Sequence, residues 1–456
     1  MKEPIKYYST NLKAPKVTFR EALLKGLAPD RGLYMPEIIP QLNMAEIDAF
    51  SKMSYFEIAY QVIKKFLDTE LPDDKLYAIV KDAYNYEVPL EKVYENKYVM
   101  RLDQGPTASF KDFAARMMGR LISYYLALEN RQLIILTATS GDTGSAIANA
   151  FYGLNNIKVV VLYPEHEVTP RQRKQMTTLG KNIQIISIDG KFDDCQALVK
   201  QAFSDHTLEF LNLSSANSIN IGRLVPQIVY YFYAFAKLRS GKGDDKIVFS
   251  VPSGNFGDMM GGLLAMKMGL PIKKFIIATN ENDEFPILVD EKVYNKIAPS
   301  KNCISSAMNV GHPSNLSRLI ALYGGVMDEK GGISQQPDYE LMRKEIFAIS
   351  INDEQTRKTI KESYNQYHVL LEPHGAVGWA GLNAYLKEYP QENNAEQLFV
   401  SLETAHPAKF PDEINKILGI DPEMPESLKG IESKQEIILK IENNYEVFKD
   451  FLKRSF

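Results

Sequence analysis

Lys111 is the residue of this chain best suited to covalent chemistry. It falls in the stretch GPTASFKDFAARMMGRLISYYL, from Gly105 to Leu126, where Phe110, Phe113, Ala114, Met117, Leu121, Ile122 and Tyr125 recur at helical spacing. Ser109, followed three residues on by Asp112, reads as a capping-box-like start and puts Lys111 at the second position of a helix with a buried face. A helix N-terminus repels a cation and burial disfavours one further, so both lower the ammonium pKa and leave a nucleophilic amine. Such an amine forms a Schiff base with a carbonyl. Taken alone, Lys111 is explained as well by a side chain snorkelling to solvent from a helix edge.

Two further segments, LIILTATSGDTGSAIANAF and IVFSVPSGNFGDMMGGLLAM, each run from an apolar strand through a glycine-bearing turn into a helix. A turn of this kind aims backbone N–H groups and the positive helix end at an anion. Neither contains GxxxxGK[ST] or GxGxxG, which disfavours a P-loop nucleotide site and a dinucleotide site. Each loop on its own is also explained as a tight turn where glycine supplies backbone freedom. A third strand end, FVSLETAHPAKF, brings Thr404 and His406 to the same edge, since open α/β sheets hold ligands at strand carboxyl ends. In LLEPHGAVGWAGL, Glu372, Pro373 and His374 open a small-residue helix, where capping accounts for them equally well.

Metal chemistry finds no support: the six histidines lack HExxH or paired spacing, and the only cysteines, Cys195 and Cys303, lie far apart. There is no GxSxG for a serine hydrolase. An imine-forming lysine with two anion-holding loops meets the requirements of a phosphate-bearing carbonyl cofactor, pyridoxal 5'-phosphate.

The elements that must position these groups are an alternation of β-branched runs with helical patterns. QLIILTA, IKVVVLYP, IQIISIDG, KIVFSVP, KKFIIATN and EQLFVSLE are separated by helical stretches such as 169–179 and 193–203. Continuous apolar strands between helices predict an α/β fold with parallel sheets covered on both faces. Residues 1–95 read as a separate region of short helices (45–66, 73–84), 96–410 as the α/β core with a loop-rich insertion near 281–353 around a helix at 316–323, and 411–456 as closing helices. The apolar stretch 228–238 is interrupted by tyrosines and reads as a core helix rather than a membrane span. With 24% charged residues and a net charge of −4, nothing favours nucleic acid or an anionic membrane surface, and the cysteine usage fits the reducing cytoplasm.

Several of these segments occur together, in the same order, in a known family. FREALLKGLAPDRGLYMP from Phe19, GPTASFKDF around Lys111, ATSGDTG from Ala138, SANSINIGR from Ser215, VPSGNFGD from Val251 and ETAHPAKF from Glu403 closely resemble threonine synthases of the longer bacterial and fungal class. The resemblance runs essentially end to end and implies the fold-type II pyridoxal-phosphate fold, similar to the tryptophan synthase beta subunit, with two open parallel-sheet lobes. It implies that Lys111 holds the cofactor and moves protons. Ser253, Gly254, Asn255, Phe256 and Gly257 would hold the cofactor phosphate, and Thr404 would face the pyridine nitrogen. Thr139, Ser140, Gly141, Asp142 and Thr143 would receive the substrate carboxylate, and Ser218, Asn220 and Arg223 the substrate phosphate. The implied reaction is a lyase-type conversion of O-phospho-L-homoserine and water to L-threonine and phosphate, by γ-elimination and then addition of water at Cβ. The resemblance also implies a cytoplasmic monomer, or at most a weak homodimer. Asp142 departs from many fold-type II enzymes, which carry Asn there, and a carboxylate beside the cofactor's ring oxygen would repel it unless one group is protonated. A serine or threonine dehydratase on the same fold, or a silent binding protein, stays open as an alternative at this point.

Overall fold

Each of the six apolar runs forms a strand, and together they are divided between two sheets. The structure, a computed structural model, describes residues 3–67, 69–241 and 245–456. The larger sheet has six strands in the order Ile346–Ser350, Ile272–Thr279, Ile247–Pro252, Leu398–Glu403, Lys97–Arg101 and Leu90–Tyr94. All neighbours in it are parallel except the last pair, an antiparallel hairpin. The smaller sheet has five strands, all parallel, in the order Leu439–Ile441, Ile183–Ile188, Ile157–Pro164, Leu133–Ala138 and Leu213–Ser214.

Burial on both faces explains why these strands read as unbroken apolar runs rather than alternating ones. In Leu133–Ala138, Leu133 and Ile135 face the main core, while Ile134, Leu136 and Ala138 face a second core that also takes Phe448 and Leu452. In Leu398–Glu403, Leu398, Val400 and Leu402 face the main core and Phe399 a third cluster with Trp379. The expected helices form as Pro170–Thr177, opened by a Thr169/Gln172 capping box, and Phe192–Ser204. Val229–Leu238 is a helix buried in the main core. Among the described residues, no helix is long and apolar enough to cross a membrane.

Four expectations need correction. The N-terminal helix predicted at 45–66 is broken into Met44–Ala49, a 3-10 turn and Tyr55–Leu67, and this region also holds a small antiparallel strand pair, Tyr7–Ser9 with Tyr34–Pro36. The stretch 281–353 is not loop alone: beside the helix Leu316–Leu322 it contains helices Glu284–Glu291 and Tyr339–Glu345, and Ile346–Ser350 adds an edge strand to the larger sheet. The closing segment contains a strand as well, Leu439–Ile441, on the edge of the smaller sheet. At Lys111 the capping box does not form. The helix begins at Lys111 itself, Phe110 stands at its N-cap without a side-chain bond, and Asp112 turns back to accept from Thr107 N and Oγ1 at 2.8 and 2.7 Å.

Candidate active site

The chain segment before Lys111 is tied to the end of the central strand Leu398–Glu403. Phe110 N donates to Thr404 O at 2.9 Å and His406 N to Ala108 O at 3.0 Å, an isolated antiparallel bridge between Ser109 and Ala405. Lys111 then heads the 19-residue helix Lys111–Glu129, which packs against Asp142–Phe151 of the smaller lobe. The lysine therefore stands where the two lobes meet. Burial lowers its ammonium pKa; Asp142 opposes that shift, while Lys409 and Arg223 reinforce it. Its nearest anion, Asp142 Oδ2, is 4.0 Å from Nζ, beyond hydrogen-bond reach.

The loop Thr139–Thr143 leaves the smaller sheet and is drawn tight by Thr139, whose Oγ1 accepts from Gly141 N and Gly144 N at 3.0 and 2.8 Å. Gly141 has φ of +131°, and an added Cβ there would lie 2.8 Å from the Gln172 side chain, so only glycine fits. Asp142 is engaged through one oxygen. Its Oδ1 takes Lys409 Nζ at 2.6 Å and Gln172 Nε2 at 2.9 Å. Burial alone would raise its carboxyl pKa, but the Lys409 and Lys111 ammonium groups overcome that and hold it well below the carboxylate range. Lys409 is fully buried and also donates to Thr107 O at 2.9 Å. The apparent conflict of a carboxylate at this position is thus met by a counter-ion from the strand end opposite.

The loop Ser253–Gly257 leaves the larger sheet and enters the helix Gly257–Lys267 through Phe256, which has φ of 59°. The first N–H groups of a helix lack intrahelical partners and point outward at an anion. The 281–353 segment walls this loop: Asn315 Nδ2 donates to Asn255 O and Ser314 N to Asn255 Oδ1. Asn255 Nδ2 donates to Ser218 Oγ at 2.6 Å, which joins this loop to the 215–223 segment. Thr404 is buried, and its hydroxyl lies 3.3 Å from Glu372 Oε1. Glu372 caps its helix by accepting from His374 N and Gly375 N, and His374 donates from Nδ1 to Glu372 Oε2 at 2.5 Å while its Nε2 accepts from Ala307 N. His406 likewise caps a 3-10 turn, accepting from Ala408 N.

The three residues expected around a substrate phosphate separate here. Arg223 is buried, donates Nη1 to Ala216 O, and among the described residues has no carboxylate partner and a buried Nε that meets no acceptor; burial lowers its pKa to about 10. A buried guanidinium in that state has capacity for an anion. Ser218 is half-buried beside Asn255. Asn220, by contrast, is spent on structure, donating to Leu23 O and Ser215 O and accepting from Gly222 N as the cap of a short helix. Its side chain does not enter the cleft group. Lys409 was missed in the sequence because its partner comes from the other lobe; its place three residues beyond His406, at a strand end, was the available signal.

The residues fit a phosphorylated carbonyl cofactor: a half-buried lysine of lowered pKa, an outward-facing helix start after a glycine loop, a hydroxyl at the neighbouring strand end, and a second glycine loop across from them. Comparisons agree. A family model described as Threonine synthase N terminus matches residues 6–84, one described as Pyridoxal-phosphate dependent enzyme matches 88–400, and one described as Threonine synthase, C-terminal matches 376–452. The threonine synthase of Haemophilus influenzae is 40% identical over 448 residues, 98% of this chain and 99% of that protein. The solved pyridoxal-phosphate-bound threonine synthase of Brucella melitensis superposes with a TM-score of 0.90 at 35% identity, covering 99% of each chain. The yeast threonine synthase structure gives 0.89 at 33% identity and 98% of each chain.

Proposed function

The chain belongs to the threonine synthase family of pyridoxal-phosphate-dependent enzymes, and from that membership we propose that it converts O-phospho-L-homoserine and water to L-threonine and inorganic phosphate. The observation that carries the reading is the half-buried Lys111, its amine desolvated at the junction of the two lobes between the glycine loops of the two sheets.

When bound, pyridoxal 5'-phosphate supplies the carbonyl that captures amines and the electron sink that acidifies carbons next to the substrate nitrogen. The chain supplies the rest. Lys111 would hold the cofactor, and once released its amine would take the proton at Cα and then one at Cβ as phosphate leaves Cγ, and would return one to Cγ, completing the methyl, and one to Cα after water has added at Cβ. A lysine whose ammonium is destabilised by burial is free as a base near neutral pH. Ser253 to Gly257 would hold the cofactor phosphate on backbone N–H groups, and the Thr404 hydroxyl would serve the ring nitrogen. The loop Thr139 to Thr143 receives the substrate carboxylate on its helix start, with Asp142 serving Lys409 rather than the anion. Ser218 and Arg223 hold the leaving phosphate, and Asn220 acts by capping the short helix that carries Arg223. Two free cysteines fit a reducing, cytoplasmic setting, and the family resemblance leans towards a monomer or at most a weak homodimer acting on small molecules.

The test is phosphate release from O-phospho-L-homoserine by the cofactor-loaded protein, with Lys111→Ala alongside. Release with stoichiometric threonine, reduced on the order of 10³-fold or more in the variant, is the expected result. Turnover of serine or threonine in place of phosphohomoserine would overturn it in favour of a dehydratase.

A further inference from the structure

The Lys409–Asp142 ion pair is a buried interaction in the site to which the reaction scheme above gives no step. Both partners are buried, and they come from different lobes, Asp142 from the glycine loop of the smaller sheet and Lys409 from the turn after the central strand of the larger. The two carboxylate oxygens are divided. Oδ1 is held by Lys409 at 2.6 Å and Gln172 at 2.9 Å, and Oδ2 looks towards Lys111 Nζ at 4.0 Å. Lys409 is itself fixed by Thr107 O, at the far end of the turn that Asp112 closes, and Gln175 Nε2 binds the same carbonyl.

Removing a counter-ion from a buried carboxylate costs several kcal/mol or protonates it. Asp142 is anionic because Lys409 is there. An anion about 4 Å from an amine favours its charged form, typically by one to three pH units. The remaining charged or titratable groups around Lys111 are Arg223, Glu372, Lys409, His374 and Asp258.

We propose that Lys409 and Asp142 are positioning residues for Lys111: Lys409 keeps Asp142 an anion, and the free Oδ2 of Asp142 orients the lysine nitrogen and sets how tightly it holds a proton. Burial by itself drives Lys111 to the neutral amine. The Asp142 oxygen offsets that drive for as long as Lys409 keeps it an anion. The lysine is thereby poised between acid and base, which a group that must both take and return protons requires. The inference rests on the assignment of Lys111 as the cofactor lysine.

The test is a pH titration of the visible absorption of the cofactor-loaded full-length protein, in wild type, Asp142→Asn, Lys409→Met and the double variant. Asp142→Asn keeps the bonds to Gln172 and Lys409 through Oδ1 but turns an amide N–H towards Lys111, so it is the variant least liable to misfold. The protonation midpoint of the lysine-bound cofactor should fall by about 1 unit or more in Asp142→Asn, fall likewise in Lys409→Met, where Asp142 takes up a proton, and fall no further in the double variant. Coincident titrations in wild type and Asp142→Asn would overturn the inference, whether or not Lys409→Met folds. A wild-type protein that shows no visible band with the cofactor would instead overturn the assignment of Lys111.

Discussion

Among the described residues Glu284 has no counterpart: it is 1% exposed and neither carboxylate oxygen has a hydrogen-bond partner. Burial raises its pKa to about 8, with Asp283 adding to the shift. The folded state thus favours the protonated acid. The sign follows: stability from this group is full below about pH 4.5, the unfolded value, and is lost as pH rises towards 8. Glu284→Gln should therefore melt at a temperature that changes less between pH 5 and pH 8 than wild type does, measured by circular dichroism; parallel curves would contradict it. In the site, Arg223→Ala should raise the apparent KM for phosphohomoserine about 10- to 100-fold, the worth of a charge-assisted hydrogen bond, with a smaller effect on kcat. The chemistry of Lys111 was legible because helix position and burial act on it locally. That of Asp142 was not, because its charge state is decided by Lys409, a residue distant in the chain, and neither was the capping role of Asn220, because a capping amide and a ligand amide look alike in sequence.

At the level of elements, the glycine loop of the larger sheet and the segment that walls it are fitted without slack. A Cβ on Gly254 would come 2.7 Å from Met308 Cα and 3.2 Å from Ala307 O, both backbone atoms that cannot rotate away. Gly254→Ala should therefore displace the 306–308 turn, weaken cofactor binding in a spectroscopic titration, and cost about 1–3 kcal/mol of stability by overpacking. Unchanged cofactor affinity would separate this loop from the cofactor phosphate. Arg318 shows the same segment holding a second part of the site. Fully buried and without a carboxylate partner, it donates to Tyr34 O, Ser218 O, Ile219 O and Asn315 Oδ1, and so binds the N-terminal region, the 215–223 segment and its own helix together. The strands of the sheet centres were legible as apolar runs. Lys97–Arg101 and Ile346–Ser350 were not, since the first is only five residues with charged ends and the second is a partly exposed edge lying in a stretch of weak periodicity.

Across the whole molecule, the chain's last residues complete its smaller lobe. Leu439–Ile441 covers the edge of Ile183–Ile188, and the helix Tyr445–Ser455 buries Phe448 and Leu452 in the second core. Phe448→Ala should cost about 3 kcal/mol through the cavity it leaves, read as a lowered urea midpoint. The two-lobed α/β architecture was legible from strand and helix alternation together with the family resemblance. The pairing of the closing segment with the smaller sheet was not, since an exposed three-residue strand carries almost no pattern. The bridge between 108–110 and 404–406 has a consequence for how such a molecule tolerates change. The spacing between the lysine and Thr404 is written in main-chain N–H and C=O groups, from Phe110 to Thr404 and from His406 to Ala108. Side chains along both segments can drift over generations without altering it, and proline at either donor position, lacking the N–H, is the substitution that lineage cannot absorb.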